Sequence, residues 1–345
     1  MIMAKKIYLA LISVMMFFQI NAGNVNDLTH DLDGAVNCFI EYNGKIYAGG
    51  SFEINGKLGK GIALWENKKW NCVGDGITEG NIQCFAEFNG KLYAGGSFKL
   101  AHSREIASVA CWDGKKWKPV GKAFNKMVWT LGVFNNQLFA GGYFTQNAEN
   151  STKYLAKWNG KDWTEAGGGM NKHVFTLKVY NNELYVGGAF TKAGEADVKY
   201  LAKWNGSDFQ ACEKGVDGMV KSLAVFKEQL YVSGYFTHAG DSVSVCIASW
   251  NGEKWSAVEG LDIDNYISDM AVAGDRLFIV GNFEHLSKLK RSNGIAEFNG
   301  NKWTNIPTKS VNGATSVYCL PNAIYVSGSD SDREIMKPKV LRITN

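Results

Sequence analysis

Leu92-Tyr93-Ala94-Gly95-Gly96-Ser97-Phe98 is one copy of a segment that recurs at Ile46 to Phe52, Leu138 to Phe144, Leu184 to Phe190 and Leu230 to Phe236. More worn copies run from Leu277 to Phe283 and from Ile324 to Ser329. The second glycine of the pair falls at 50, 96, 142, 188, 234, 281 and 328, so the chain holds seven repeats spaced by about 46 residues. Ahead of each copy lies a short apolar segment such as Val128 to Phe134, joined through Asn43-Gly44, Asn89-Gly90, Asn135-Asn136 or Asn181-Asn182. Asn-Gly and Asn-Asn accept positive φ at both turn positions, as a right-twisted two-residue hairpin requires. Leu155-Ala156-Lys157-Trp158 then predicts a third strand, and Asn159-Gly160 a second tight turn before a fourth strand opening at Trp163. Four antiparallel strands per repeat make a blade, and seven blades predict an all-β, seven-bladed β-propeller. A solenoid would need shorter or helical repeats, and no segment has helical periodicity.

Aromatic residues mark the same two places in the first six repeats. Trp65, Trp112, Trp158, Trp204, Trp250 and Phe298 close the third strand, while Trp70, Trp117, Trp163, Phe209, Trp255 and Trp303 open the fourth. A ring in every blade is what face-to-face blade packing needs, whereas a sugar ligand needs only one or two. The seventh repeat has strands near Ser316 to Leu320, Ile324 to Gly328 and Lys339 to Ile343, and then the chain ends. Asn24 to Leu28 sits where the outer strand of a preceding blade would lie, so it is expected to complete the last blade and cover its edge. The glycine pairs are read as points of close backbone approach near the hub.

With these residues in view, the chain resembles kelch-like propellers, and more closely the repeats of the fungal cortical cell-polarity marker family and related secreted bacterial proteins. The shared pattern is Leu-Tyr-Val-Gly-Gly-x-Phe, a connecting stretch, then Ile/Leu-Ala-x-Trp-Asn-Gly-x-x-Trp, well represented from Leu184 to Phe209. It covers about Ala35 to Asn345. Copies six and seven depart from it, with Val280 and Ser327 in place of the first glycine and Phe298 in place of Trp. The resemblance implies the fold and supplies no catalytic residue.

Residues 1–22 read differently from the rest. Lys5 and Lys6 precede an apolar run from Ile7 to Ile20, and Ile20-Asn21-Ala22 ends on a small residue. That is the pattern of a Sec-type signal peptide cleaved after Ala22, leaving 23–345 as a single propeller domain that is secreted, periplasmic or on the cell surface. Setting Lys5 and Lys6 aside lowers the net charge from +4 to +2, too little to argue for nucleic acid or an anionic membrane surface. A monomer without membrane insertion is expected. The seven cysteines show no paired spacing and read as small core residues.

Chemistry is sparse. His30, His102, His173, His238 and His285 fall in loops on one face but lack ligand spacing. Asp31-Leu32-Asp33-Gly34 and Asp262-Ile263-Asp264-Asn265 begin like calcium loops without the closing Glu. Lys288-Leu289-Lys290-Arg291 is the most basic loop. No cofactor, metal or catalytic constellation is implied. The positions that vary between repeats are more informative. Near the top of the innermost strand one position reads Asn37, Gln83, Trp129, Phe175, Lys221, Ser268 and Tyr318, and the next reads Cys38, Cys84, Thr130, Thr176, Ser222, Asp269 and Cys319. Asn37, Gln83, Trp129, Phe175, Lys221, Asp269 and Tyr318 are therefore candidate ligand-binding residues around the channel mouth, with Trp129 and Phe175 as an aromatic platform. The expected role is binding a protein or glycan through this top face. The alternative is a glycan-active, metal-assisted enzyme with its site there.

Overall fold

The computed structural model describes residues 24–56, 61–100, 106–148, 150–263, 265–283, 285–286, 292, 294–306, 308, 311–330 and 337–344. The expected leader, His102, Asp264 and the Lys288-to-Arg291 run lie outside the described residues. Seven four-stranded antiparallel sheets follow one another as blades. Six are consecutive meanders, typified by blade four with Val174–Tyr180, Glu183–Gly188, Leu201–Trp204 and Phe209–Ala211 from hub to rim. The seventh pairs Asn312–Leu320, Ala323–Asp330 and Lys337–Thr344 with the N-terminal strand Val25–Asp27. Val25 faces Ile343 and Asp27 faces Leu341, so the two ends of the chain share one sheet as the sequence implied. Leu28 N donates to Val340 O at 2.8 Å, and Lys339 pairs with Asp27 at 2.5 Å. No helix among the described residues is long and apolar enough to cross a membrane.

Local chemistry explains the meander. Asn135 and Asn136 hold φ of 46° and 55°, and Asn181 and Asn182 hold 48° and 58°, the geometry a two-residue hairpin demands. The turn after Trp158 is different. Trp158 pairs with Trp163, leaving a four-residue loop in which Asn159 Oδ1 accepts from Lys161 N and Asp162 N. The Asn side chain, rather than a left-handed Asn-Gly pair, closes that corner.

Every innermost strand also carries a β-bulge, at Asn37, Gln83, Trp129, Phe175, Lys221 and Ser268 in the first six blades. The glycine pair divides its work around that bulge. A Cβ on the second glycine would meet backbone: Ala35 O at 2.1 Å from Gly50, His173 O at 2.1 Å from Gly188 and Tyr266 O at 2.2 Å from Gly281. A Cβ on the first glycine would meet side chains of the next blade, such as Ile82 for Gly49 and Val220 for Gly187. This accounts for the departure in blade six. Val280 replaces the first glycine where the next blade offers Ala314, with which it shares a core cluster, in place of the Val or Ile found elsewhere.

The tryptophans seal the blades together. Trp70, Trp117 and Trp163 are buried and pair across the hairpin with Trp65, Trp112 and Trp158 at centroid distances of 5.2, 5.4 and 5.3 Å. Four outer-strand indoles also reach backward. Trp163 Nε1 donates to Val120 O, Trp255 Nε1 to Cys212 O and Trp303 Nε1 to Glu259 O, each carbonyl lying where the chain leaves the preceding blade. Trp70 Nε1 does the same to Leu28 O, fastening the closing strand. Full burial with a satisfied N–H is the signature of structural packing.

Candidate binding site at the channel mouth

The variable ring predicted from sequence coincides with the bulges. A bulged residue has no ladder partner, so its side chain answers to the channel and to its neighbours rather than to the sheet. Asn37 Nδ2 donates to Ile82 O at 2.9 Å and to Gln83 Oε1 at 3.2 Å, joining the first two members. Trp129 and Phe175 meet edge to face at 5.9 Å. Lys221 lays its ammonium over both rings, 4.8 Å from the Trp129 centroid and 4.2 Å from that of Phe175. Five of the seven candidates are thus brought together in two groups.

Tyr318 is not among them. It pairs with Tyr325, and Ser316 pairs with Ser327, just as Cys38 pairs with Gly49. The seventh-blade equivalent of Asn37 is therefore Thr315, which is exposed, while Tyr318 lies three residues lower near Glu41 and Glu87. Cys319 moves with it, so Cys38 and Cys84 share their ring with Ser316. The hairpin turn held the missing signal. Counting back from Pro321-Asn322 by the interval that separates Asn37 from Asn43 lands on Thr315.

Asp269 sits one residue past the bulge, where the ring serves a structural end. Its carboxylate accepts from Ser222 Oγ at 2.9 Å and Met270 N at 2.8 Å, and from Val317 N at 3.1 Å and Ser316 Oγ at 3.3 Å. Ser222 Oγ likewise accepts from Met270 N of the next blade, and Cys84 takes the backbone of Leu131 in the same way. Small side chains with a lone pair thus pick up the hub N–H groups that the innermost strands leave without sheet partners. Burial pushes the Asp269 carboxyl up against these donors, and pushes the Cys38 and Cys84 thiols up as well.

Around the mouth the top face is two-sided. Over blades three to six it carries Tyr143 tilted against His173 at 4.3 Å, Tyr235 against Tyr266 at 4.7 Å, and Met219 at 38% exposure. His173 was named only among the loop histidines, and Tyr143 and Tyr235 were missed because their position reads Ser, Ala or Asn in other repeats and stands outside the recurring motif. Burial lowers the His173 pKa, helped by the nearby Lys126 and Lys172. Over blades one and two a cleft of about 430 Å³ is lined by Asp33, Ser51, Glu53, Thr78 and Glu79 instead.

The other loop residues have structural partners. Asp31 Oδ2 accepts from Trp70 N, and Asp217 accepts from Thr237 N, His238 N and His238 Nδ1. Among the described residues no three His, Cys, Asp or Glu side chains converge as metal ligands, and all seven cysteines are free thiols.

Solved structures share the architecture at low identity. The computationally designed Ika8 protein aligns with a TM-score of 0.51 and 12% identity, covering 90% of this chain and 97% of its own. Sqt1 of Saccharomyces cerevisiae aligns with a TM-score of 0.52 and 11% identity, covering 95% and 100%. No curated protein matches the chain in sequence. Residues 167–343, just over half of the chain, match the Rax2 C-terminal beta propeller domain, and the chain belongs to that family.

Proposed function

We propose that this protein is a secreted, non-catalytic binding module that engages a protein or glycan partner through the top face of the propeller, around the channel mouth. The observation that carries the reading is the contrast between bulge and frame. The second glycine is kept in all seven blades, while the residue at the bulge changes from Asn to Trp, Lys and Thr. A position freed from packing and turned toward an opening is where a repeat scaffold places recognition. The half-buried Trp129 and its aromatic neighbours supply the anchors such surfaces use.

The test is a screen of the chain lacking residues 1–22 against glycan and peptide arrays. Trp129→Ala with Phe175→Ala is then compared with the parent on whichever ligand binds, after thermal unfolding shows both are folded. A loss of affinity of about tenfold or more is expected for a central aromatic anchor. Unchanged affinity would move the site away from the mouth.

A further inference from the structure

Two lysines share the channel. Lys221 occupies the bulge of blade five, its ammonium resting on Trp129 and Phe175. Those ring faces are consequently covered, and they hold a cation where a sugar would otherwise stack. Lys178 lies three residues past the bulge on the innermost strand of blade four, in register with Tyr185. At the rise of an extended strand this is about 10 Å below the mouth. Lys178 is open to solvent and yet walled closely enough by protein that desolvation lowers its pKa. The field opposing that shift comes from Asp269, two blades away. Lys221 feels the same pair of influences.

Neither ammonium has a hydrogen bond or ion pair with a described residue. Asp269 cannot serve as their contact partner, because its oxygens are already taken by four donors. The rim beside these lysines is basic, while Asp269 and, near Tyr318, Glu41 and Glu87 are the acidic groups deeper in the ring. Exposed Lys126 and Lys172 stand beside His173 at the rim, whereas the acidic cleft lies over blades one and two. Desolvated cations without a counter-ion gain most from an arriving carboxylate.

We propose that the upper channel is an anion site that takes the carboxylates of an acidic peptide segment, with Lys221 pairing at the mouth and Lys178 below it. This deepens the binding-module reading and rests on it. A peptide suits the site better than an acidic polysaccharide on two grounds. The ring faces that would stack a pyranose are occupied by Lys221. The two lysines also leave their strands at levels about 10 Å apart, a spacing that acidic side chains on flexible stems span more readily than ring-borne carboxylates.

The probe is N-acetylated, amidated tetraglutamate, titrated at low ionic strength by calorimetry and by NMR of reductively ¹³C-methylated lysines. The Lys178 and Lys221 signals should shift in the parent protein, a readout that needs no variant. Lys178→Gln and Lys221→Gln should each weaken binding by about tenfold, equivalent to about 1.4 kcal/mol. The exposed Lys254→Gln should bind as the parent does, and tetraglutamine should be silent. Stationary lysine signals, or glutamine variants that bind like the parent, would overturn the assignment. Tetragalacturonate binding as tightly as tetraglutamate would overturn it too, in favour of a carbohydrate. Should tetraglutamate fail while an array ligand still depends on Trp129, only the anion site falls and the mouth remains.

Discussion

The glycine pair offers the sharpest mutational contrast in the molecule. Gly187 and Gly188 are adjacent, both buried, and both outside the left-handed region, so alanine at either site is a question of space alone. At Gly188 the new methyl would stand 2.1 Å from His173 O, the carbonyl two residues ahead of the bulge in its own blade. A relaxed carbon–oxygen contact is about 3.3 Å, so the two innermost strands must part by roughly 1 Å. Neither strand can yield without breaking the ladder that positions Phe175, and a loss of about 3 kcal/mol or more follows. At Gly187 the nearest atom is Val220 Cγ1 at 2.5 Å, the tip of a side chain on the next blade. That methyl can rotate or the blade can shift slightly, and the loss should be about 1–2 kcal/mol. Ser233, Val280 and Ser327 already occupy the equivalent place in later blades. Thermal unfolding followed by tryptophan fluorescence should show Gly188→Ala lowering Tm by roughly 4 °C or more, against about 1–3 °C for Gly187→Ala. Equal losses, or a larger one at Gly187, would refute the division of labour between the two glycines.

Two further outcomes concern closure and blade contacts. Asp27 is held below the usual carboxylate range: burial opposes this, but bonds from Lys339 and Thr29 outweigh it. Its contribution is therefore present above the unfolded pKa of about 3.9 and lost as pH falls through the lower folded value, so Tm should drop in that acid window and Asp27→Asn should flatten the drop. An unaltered acid limb in the variant would remove Asp27 from the closure. Trp163→Phe deletes the donor to buried Val120 O and should cost about 1–3 kcal/mol by urea denaturation. Trp117→Phe, whose indole N–H has no hydrogen-bond partner, should cost less, and equal costs would show that ring packing alone matters.

The architecture was readable because a blade repeats its whole grammar. Turn residues with positive φ, an alternating apolar strand and a ring at each outer strand agree through the first six blades, and agreement across levels is what identifies a fold. Register was readable only where the turn was conventional. Blade seven turns at Pro321-Asn322, and the rings were aligned there on residue type, which displaced Tyr318 by three places. Lys178 escaped notice for a different reason. Its equivalents are Ile40, Ala86, Gly132, Ala224, Ala271 and Tyr318, so the column reads as packing, and only the strand's orientation shows that it borders the channel. Asp269 looked like a ligand group because a carboxylate among serines and cysteines is conspicuous. The shared property was the lone pair offered to the neighbouring N–H, which residue type alone does not announce.

The same geometry explains why side chains at the channel mouth can change without loss of the fold. A β-bulge adds one residue that the sheet ladder does not bond, and in the first six blades the second glycine removes the Cβ that would meet the carbonyl two residues ahead of that bulge. The residue after the bulge then ties one blade to the next, through Ser222 to Met270 and Asp269 to Val317. Frame and latch therefore bracket one position outside the sheet ladder, presented blade after blade around one opening. Substitution there changes the ring's chemistry while the glycine, the latch and the tryptophans stay as they are. Trp129, Phe175 and Lys221 are three consecutive uses of that freedom. Their mutual contact shows that neighbouring bulges lie close enough to build one composite site, which no single blade could form.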